Sequence, residues 1–175
     1  MKTENLIIHN DNYYTLCKSV FRVLGCHALW IMNLENNSLN MLATDQAILT
    51  HYWDKKYYLH DPTLEKAVAQ NKSPWNVTLG TDCEGFNKSG FLYDLYKIFQ
   101  VEEFVSIEKR LGSELYCFRF FTKNNRFVFM NKLLNDMPII KHFINTLTKA
   151  CQEDLHKQPG VDMAALTVCK SGRKE

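Results

Sequence analysis

Residues 26–44 read CHALWIMNLENNSLNMLAT, two apolar runs on either side of Glu35-Asn36-Asn37-Ser38. The first run, with Trp30 and Ile31 inside it, suits a buried pleated strand, and paired asparagines tolerate the left-handed backbone of a tight turn. The spacing predicts a β-hairpin with strands over Cys26–Glu35 and Leu39–Thr44. Such a connection joins antiparallel strands, so this stretch commits the chain to an antiparallel sheet. The pattern returns at Phe104–Arg110 and Leu115–Thr122, joined by Leu111-Gly112-Ser113-Glu114. A further turn, Lys123-Asn124-Asn125-Arg126, leads to the apolar run Phe127-Val128-Phe129-Met130, a candidate extra strand ahead of a long helix capped by Asn131.

Helical spacing fills the rest. After Asn10, a candidate N-cap, Tyr13, Leu16, Cys17, Val20, Phe21 and Leu24 recur every three to four residues up to Gly25. Asp45 is placed to cap a helix through Ile48, Leu49, Tyr52 and Trp53, and Asp61-Pro62 to open another that runs to Gln70. Gly80–Gly90 reads as an exposed loop before a helix over Phe91–Gln100. Leu133 to Ala150 supplies the last helical face, with Pro138 expected to break or bend it. Helices before and after hairpin-joined strands must cover both faces of the sheet. The fold class is therefore α+β, a three-layer α-β-α sandwich around an antiparallel sheet of about five strands.

The 175 residues fit one domain, and 46% hydrophobic with 23% charged residues is ordinary globular composition. A formal charge of +2 is too small to make a nucleic-acid surface. No apolar run approaches the ~20 residues that cross a bilayer, and MKTENLIIHND lacks the apolar centre of a secretory signal. The chain reads as cytoplasmic, which sets aside the three Asn-x-Ser/Thr matches as glycosylation sites. The six cysteines and six histidines are scattered, with no metal-ligand spacing and no cofactor motif. Residues 1–156 read as the folded unit, and 157–175 as a flexible basic tail.

One stretch asks for more than packing. In YYLHDPTLEKAVAQNKSPW, residues 57–75, Asp61 stands before Pro62 among aromatic rings. An ionised carboxylate among rings is costly unless a donor satisfies it. Two readings stay open: Asp61 caps the helix that starts at Pro62, or one of its oxygens faces inward to a ligand N–H.

Tyr52, Tyr57, Asp61-Pro62 and Ser73-Pro74-Trp75 resemble the signature of the LuxR-type autoinducer-binding domain, with one residue deleted before the tryptophan. The resemblance covers roughly residues 8–155. It implies a PAS/GAF-like sandwich enclosing an acyl-homoserine lactone, with the aspartate accepting from the ligand amide and Tyr52, Tyr57 and Trp75 lining the pocket. The chain departs from the family at the lactone end. Ile48 stands where a lactone-binding tryptophan is usual, and Thr44 where a tyrosine is common. Trp53 is no substitute, because five residues carry it about 140° around the helix from Ile48. Ile48 and Thr44 thus imply an apolar head-group end, and with it either a guest other than a plain homoserine lactone or an altered or vestigial pocket.

The resemblance also implies a sensor that pairs with itself or with a full-length regulator. The LuxR-type helix-turn-helix finds no counterpart in the twenty residues after Leu155. A second class is a ligand-independent protein that pairs with full-length regulators. An enzyme is disfavoured, since no nucleophile elbow, phosphate-cradling loop or metal cluster is legible.

Overall fold

The computed structural model describes residues 11–36, 38–62, 64, 74–82, 90–157 and 160–163. Helix α1 (Asp11–Leu24) ends at Gly25, whose φ of +70° suits glycine. Strands β1 (Cys26–Glu35) and β2 (Ser38–Ala43) form the expected hairpin, with Glu35 paired to Ser38 and Asn36 left-handed at φ 49°. Helix α2 (Gln46–Asp54) follows, then a 3-10 turn (Tyr57–His60), β3 (Trp75–Leu79) and α3 (Phe91–Phe99). A second hairpin, β4 (Glu103–Leu111) and β5 (Glu114–Thr122), leads into the long helix α4 (Arg126–Lys157) and the two-residue β6 (Val161–Asp162).

The strands run in the order β3-β4-β5-β1-β2-β6, all antiparallel. Side-chain alternation splits the core in two. Ala28, Trp30 and Met32 of β1, with Cys117 and Phe121 of β5, pack with α2 and α3. Leu29, Ile31, Phe118 and Phe120 pack with α1 and α4. This is the three-layer sandwich expected. Among the described residues no helix is long and apolar enough to cross a membrane.

The fifth long strand is not where the sequence pointed. Phe127-Val128-Phe129-Met130 opens α4, and the strand is Trp75–Leu79 on the β4 edge. Four apolar residues fit either period, and here the helical one wins. Phe129 and Leu133 are buried four residues apart while Phe127 is 80% exposed, and the cap is Asn125, whose Oδ1 accepts from Val128 N at 3.1 Å, not Asn131. Pro138 does not end the helix. It lies on the exposed side, as does Leu134, whose carbonyl loses its partner there.

Val161–Asp162 pairs with β2 and Met163 is buried in the α2–α3 core, so the tail reading does not extend to these residues. The expected Asn10 cap, the continuation of the Pro62 helix to Gln70 and most of the 80–90 loop lie outside the described residues.

Candidate functional site

The site is built on the sheet face covered by α2 and α3. Asp45 caps α2 as the sequence predicts, its Oδ1 accepting from Ile48 N at 3.0 Å. That start turns Ile48, Leu49, Tyr52 and Trp53 inward. Lys56, left-handed at φ 56°, then directs the chain into the 3-10 turn and to Asp61, which is extended, as a residue before proline prefers.

The capping reading of Asp61 holds, and its other oxygen faces inward to donors of the protein itself. Oδ1 accepts from Leu64 N at 3.3 Å, a capping bond. Oδ2 points inward and accepts from Tyr52 Oη at 2.6 Å and from Arg119 Nη2 at 2.9 Å. The inward donors are thus the protein's own. Asp61 is 1% exposed, and Tyr52 and Arg119 are fully buried. Arg119 comes from β5; its Nε donates to Ser106 Oγ of β4 at 3.2 Å, and its guanidinium lies over the rings of Phe104 (4.8 Å) and Trp30 (5.5 Å). Burial alone would push its pKa down, but the charge of Asp61 outweighs this and raises it. Burial, then the same charge, pushes the Tyr52 phenol well above its usual range.

Aromatic rings enclose the pair. Trp30 meets Tyr52 at 4.9 Å and Phe121 at 4.7 Å, both edge-on, and Phe91 lies 5.2 Å from Tyr52 and from Tyr57. Polar groups continue along the face: Glu108, nearly fully buried, accepts from Asn76 Nδ2 of β3 at 2.8 Å. Phe104 also borders a half-open groove of about 320 Å³, lined with Leu92, Tyr93, Leu95, Tyr96 and Val101.

Of the residues singled out in the sequence, the fold brings Tyr52, Asp61 and Ile48 into one cluster. Tyr57 joins with its ring, but its hydroxyl donates to Asp94 Oδ2 of α3 at 2.6 Å, an oxygen that His51 Nε2 also reaches at 2.7 Å. Burial acts to raise the Asp94 pKa, yet the bonds from Tyr57 and His51 and the nearby positive charge hold it below its usual value. Thr44 secures the end of β2: its Oγ1 accepts from Leu29 N at 2.9 Å. Trp75 lies elsewhere. It packs on the α1–α4 face, under Lys109 and Lys141 at 5.8 and 5.5 Å. Strand parity separates it from Asp61, since Trp75 shares a face with Val77 and Leu79 while Asn76 faces the site. For the same reason Phe121 borders the site and Phe118 and Phe120 do not.

Sequence reasoning missed Arg119. Its signal was available: in LYCFRFF, residues 115–121, it is the one charge in an otherwise apolar run, and such a charge needs a buried partner.

No protein-family model and no curated protein matches the sequence significantly. Solved structures do match in fold. The ligand-binding domain of VqsR from Pseudomonas aeruginosa aligns at TM-score 0.58 with 13% identity, over 76% of this chain and 84% of that one. CepR2 of Burkholderia cenocepacia, an N-acylhomoserine lactone dependent LuxR-family transcription factor, aligns at 0.59 with 12% identity, over 77% and 81%. Escherichia coli SdiA aligns at 0.52 with 13% identity, over 78% of this chain and 64% of its own. The chain therefore has the fold of the LuxR-family autoinducer-binding domains.

Proposed function

We propose that this chain is a small-molecule sensing domain of the LuxR type whose guest is apolar and is not a plain acyl-homoserine lactone. The observation that carries this reading is the Asp61–Tyr52–Arg119 cluster in its aromatic enclosure. The aspartate keeps the inward position the resemblance implies, but its inward oxygen is already occupied by two protein donors. Ile48, buried in the same cluster, offers the lactone end only hydrocarbon. A guest on this face gains from burial, ~0.8 kcal/mol per methylene, more than from a hydrogen bond to the acid. The reading places the chain in the cytoplasm, without catalysis, and paired with itself or with a full-length regulator.

The test is thermal unfolding of the protein with two series of equal chain length, N-acyl-homoserine lactones and acyl amides lacking the lactone ring. A ligand that binds only the folded state raises Tm in a saturable way. Lactone-free amides should raise it at least as much as the lactones; a clear lactone preference overturns the ligand assignment.

A second reading has its own observation. Arg119 neutralises Asp61 from within, so this face is complete without a guest. A ligand-independent partner of full-length regulators would be built this way. No Tm shift in either series, together with co-purification of a full-length LuxR-type regulator in the absence of ligand, selects it.

A further inference from the structure

A second group of ionisable side chains lies at the outer end of the β1–β5 ladder. Leu34 pairs with Leu115, so the next step of this antiparallel register sets Glu35 opposite Glu114. Like charges directly opposite each other oppose pairing. His156, in the last turn of α4, reaches over them, with Nε2 3.2 Å from Glu114 Oε1. One ligand atom from each of Glu35, Glu114 and His156 lies within 4.8 Å of the other two. Tyr116 donates its hydroxyl to the second oxygen of Glu114, which fixes the carboxylate with Oε1 toward the imidazole. The neighbouring cation of α4, Lys157, lies 3.8 and 3.9 Å from Glu153 and Asp154.

An independent feature sits one step further in. Asn33, the register partner of both Tyr116 and Asn40, is fully buried, yet neither its Oδ1 nor its Nδ2 has a hydrogen-bond partner among the described residues. The Oδ1 of Asn40 is likewise without one. Buried amides are rarely left in that state, because each unmade bond costs the full desolvation of the group. Two facing carboxylates, one of them held in a single orientation, an imidazole over them and an unpartnered buried amide two residues along the same strand face form a site suited to a positive ion and an ordered polar ligand.

We propose that Glu35, Glu114 and His156 form a zinc-type divalent-cation site. Two carboxylate oxygens and one imidazole nitrogen are a ligand set that zinc accepts, with water in the remaining position and next to the Asn33 amide. Tyr116 is the positioning residue for Glu114. The ion joins the end of α4 to β1 and β5.

The experiment is calorimetric titration of the full chain with zinc chloride, repeated on Glu35→Gln, Glu114→Gln, His156→Gln and Tyr116→Phe, with Tm recorded in the absence and presence of zinc. The expected result is one saturable site in the wild type, lost in the first three variants and weakened about 10- to 100-fold in Tyr116→Phe, as removal of an outer partner typically does. Without zinc, Glu35→Gln should melt no lower than the wild type, because it relieves the cross-strand repulsion. Absence of zinc binding to the wild type overturns the proposal. So does binding that survives in all three ligand variants, which assigns the metal to cysteines and histidines elsewhere.

Discussion

Asp61 and Glu114 are both carboxylates with a tyrosine hydroxyl on one oxygen, yet the fold treats them oppositely. Asp61 has a guanidinium 2.9 Å away, contributed by β5, and is buried to 1% exposure. Glu114 has another glutamate opposite it and an imidazole beside it, and its side chain keeps 16% exposure at the rim. The difference teaches where a charge is allowed. A carboxylate is buried where the fold supplies donors for it, a guanidinium at Asp61 and a side-chain amide at Glu108; Glu114, set opposite another glutamate, stays within reach of solvent and ions.

The sharpest way to break this comparison is Arg119→Met. It leaves Asp61 buried and uncompensated and should cost about 3–5 kcal/mol in urea denaturation, with Arg119→Met/Asp61→Leu recovering a large part of the loss. A loss near zero for the single variant would mean that Asp61 is not held by this arginine. Tyr52→Phe removes one of two inward donors and should cost about 1.5–3 kcal/mol.

Tyr57 and Asp94 sharpen the comparison through pH. Burial and then its bond to Asp94 push the Tyr57 phenol up to about 12. The folded state thus favours the neutral phenol. The stability this contributes is whole below the unfolded value of about 10 and is lost as pH rises from there toward 12. Asp94, held low, contributes above its ordinary value and loses that contribution as pH falls through the depressed one. Tyr57→Phe should therefore flatten part of the alkaline fall and part of the acid fall when stability is measured against pH; unchanged limbs would remove the pair from the account. Smaller again is Asp45→Ala, which takes away the α2 cap for about 1 kcal/mol. Glu35→Gln should have the least effect on the metal-free protein, a gain of a few tenths of a kcal/mol.

What could be read from the sequence was local. The two hairpins, the Asp45 cap, the Gly25 stop and the Asp61 capping bond depend on residues a few positions apart, and all appear in the structure. What could not be read depended on register or distance. Whether Trp75 faces Asp61 or the opposite layer is decided by strand parity, and β3 was not visible as a strand because Trp75–Leu79 is partly polar and only Leu79 is buried. Residues 127–130 were too short a run to choose a period. Glu35, Glu114 and His156 carry no motif because three separate elements bring them together. Arg119 was legible as an anomaly, but its partner was not, since 58 residues separate the two.

That separation has a consequence for how the chain is made. At roughly 5–20 residues per second, Asp61 leaves the ribosome roughly 3–12 s before Arg119 does. Over that interval the first hairpin and α2 already exist as sequence, but closing the aromatic layer would trap an isolated negative charge. The emerging protein has to leave this side open until its fifth strand arrives.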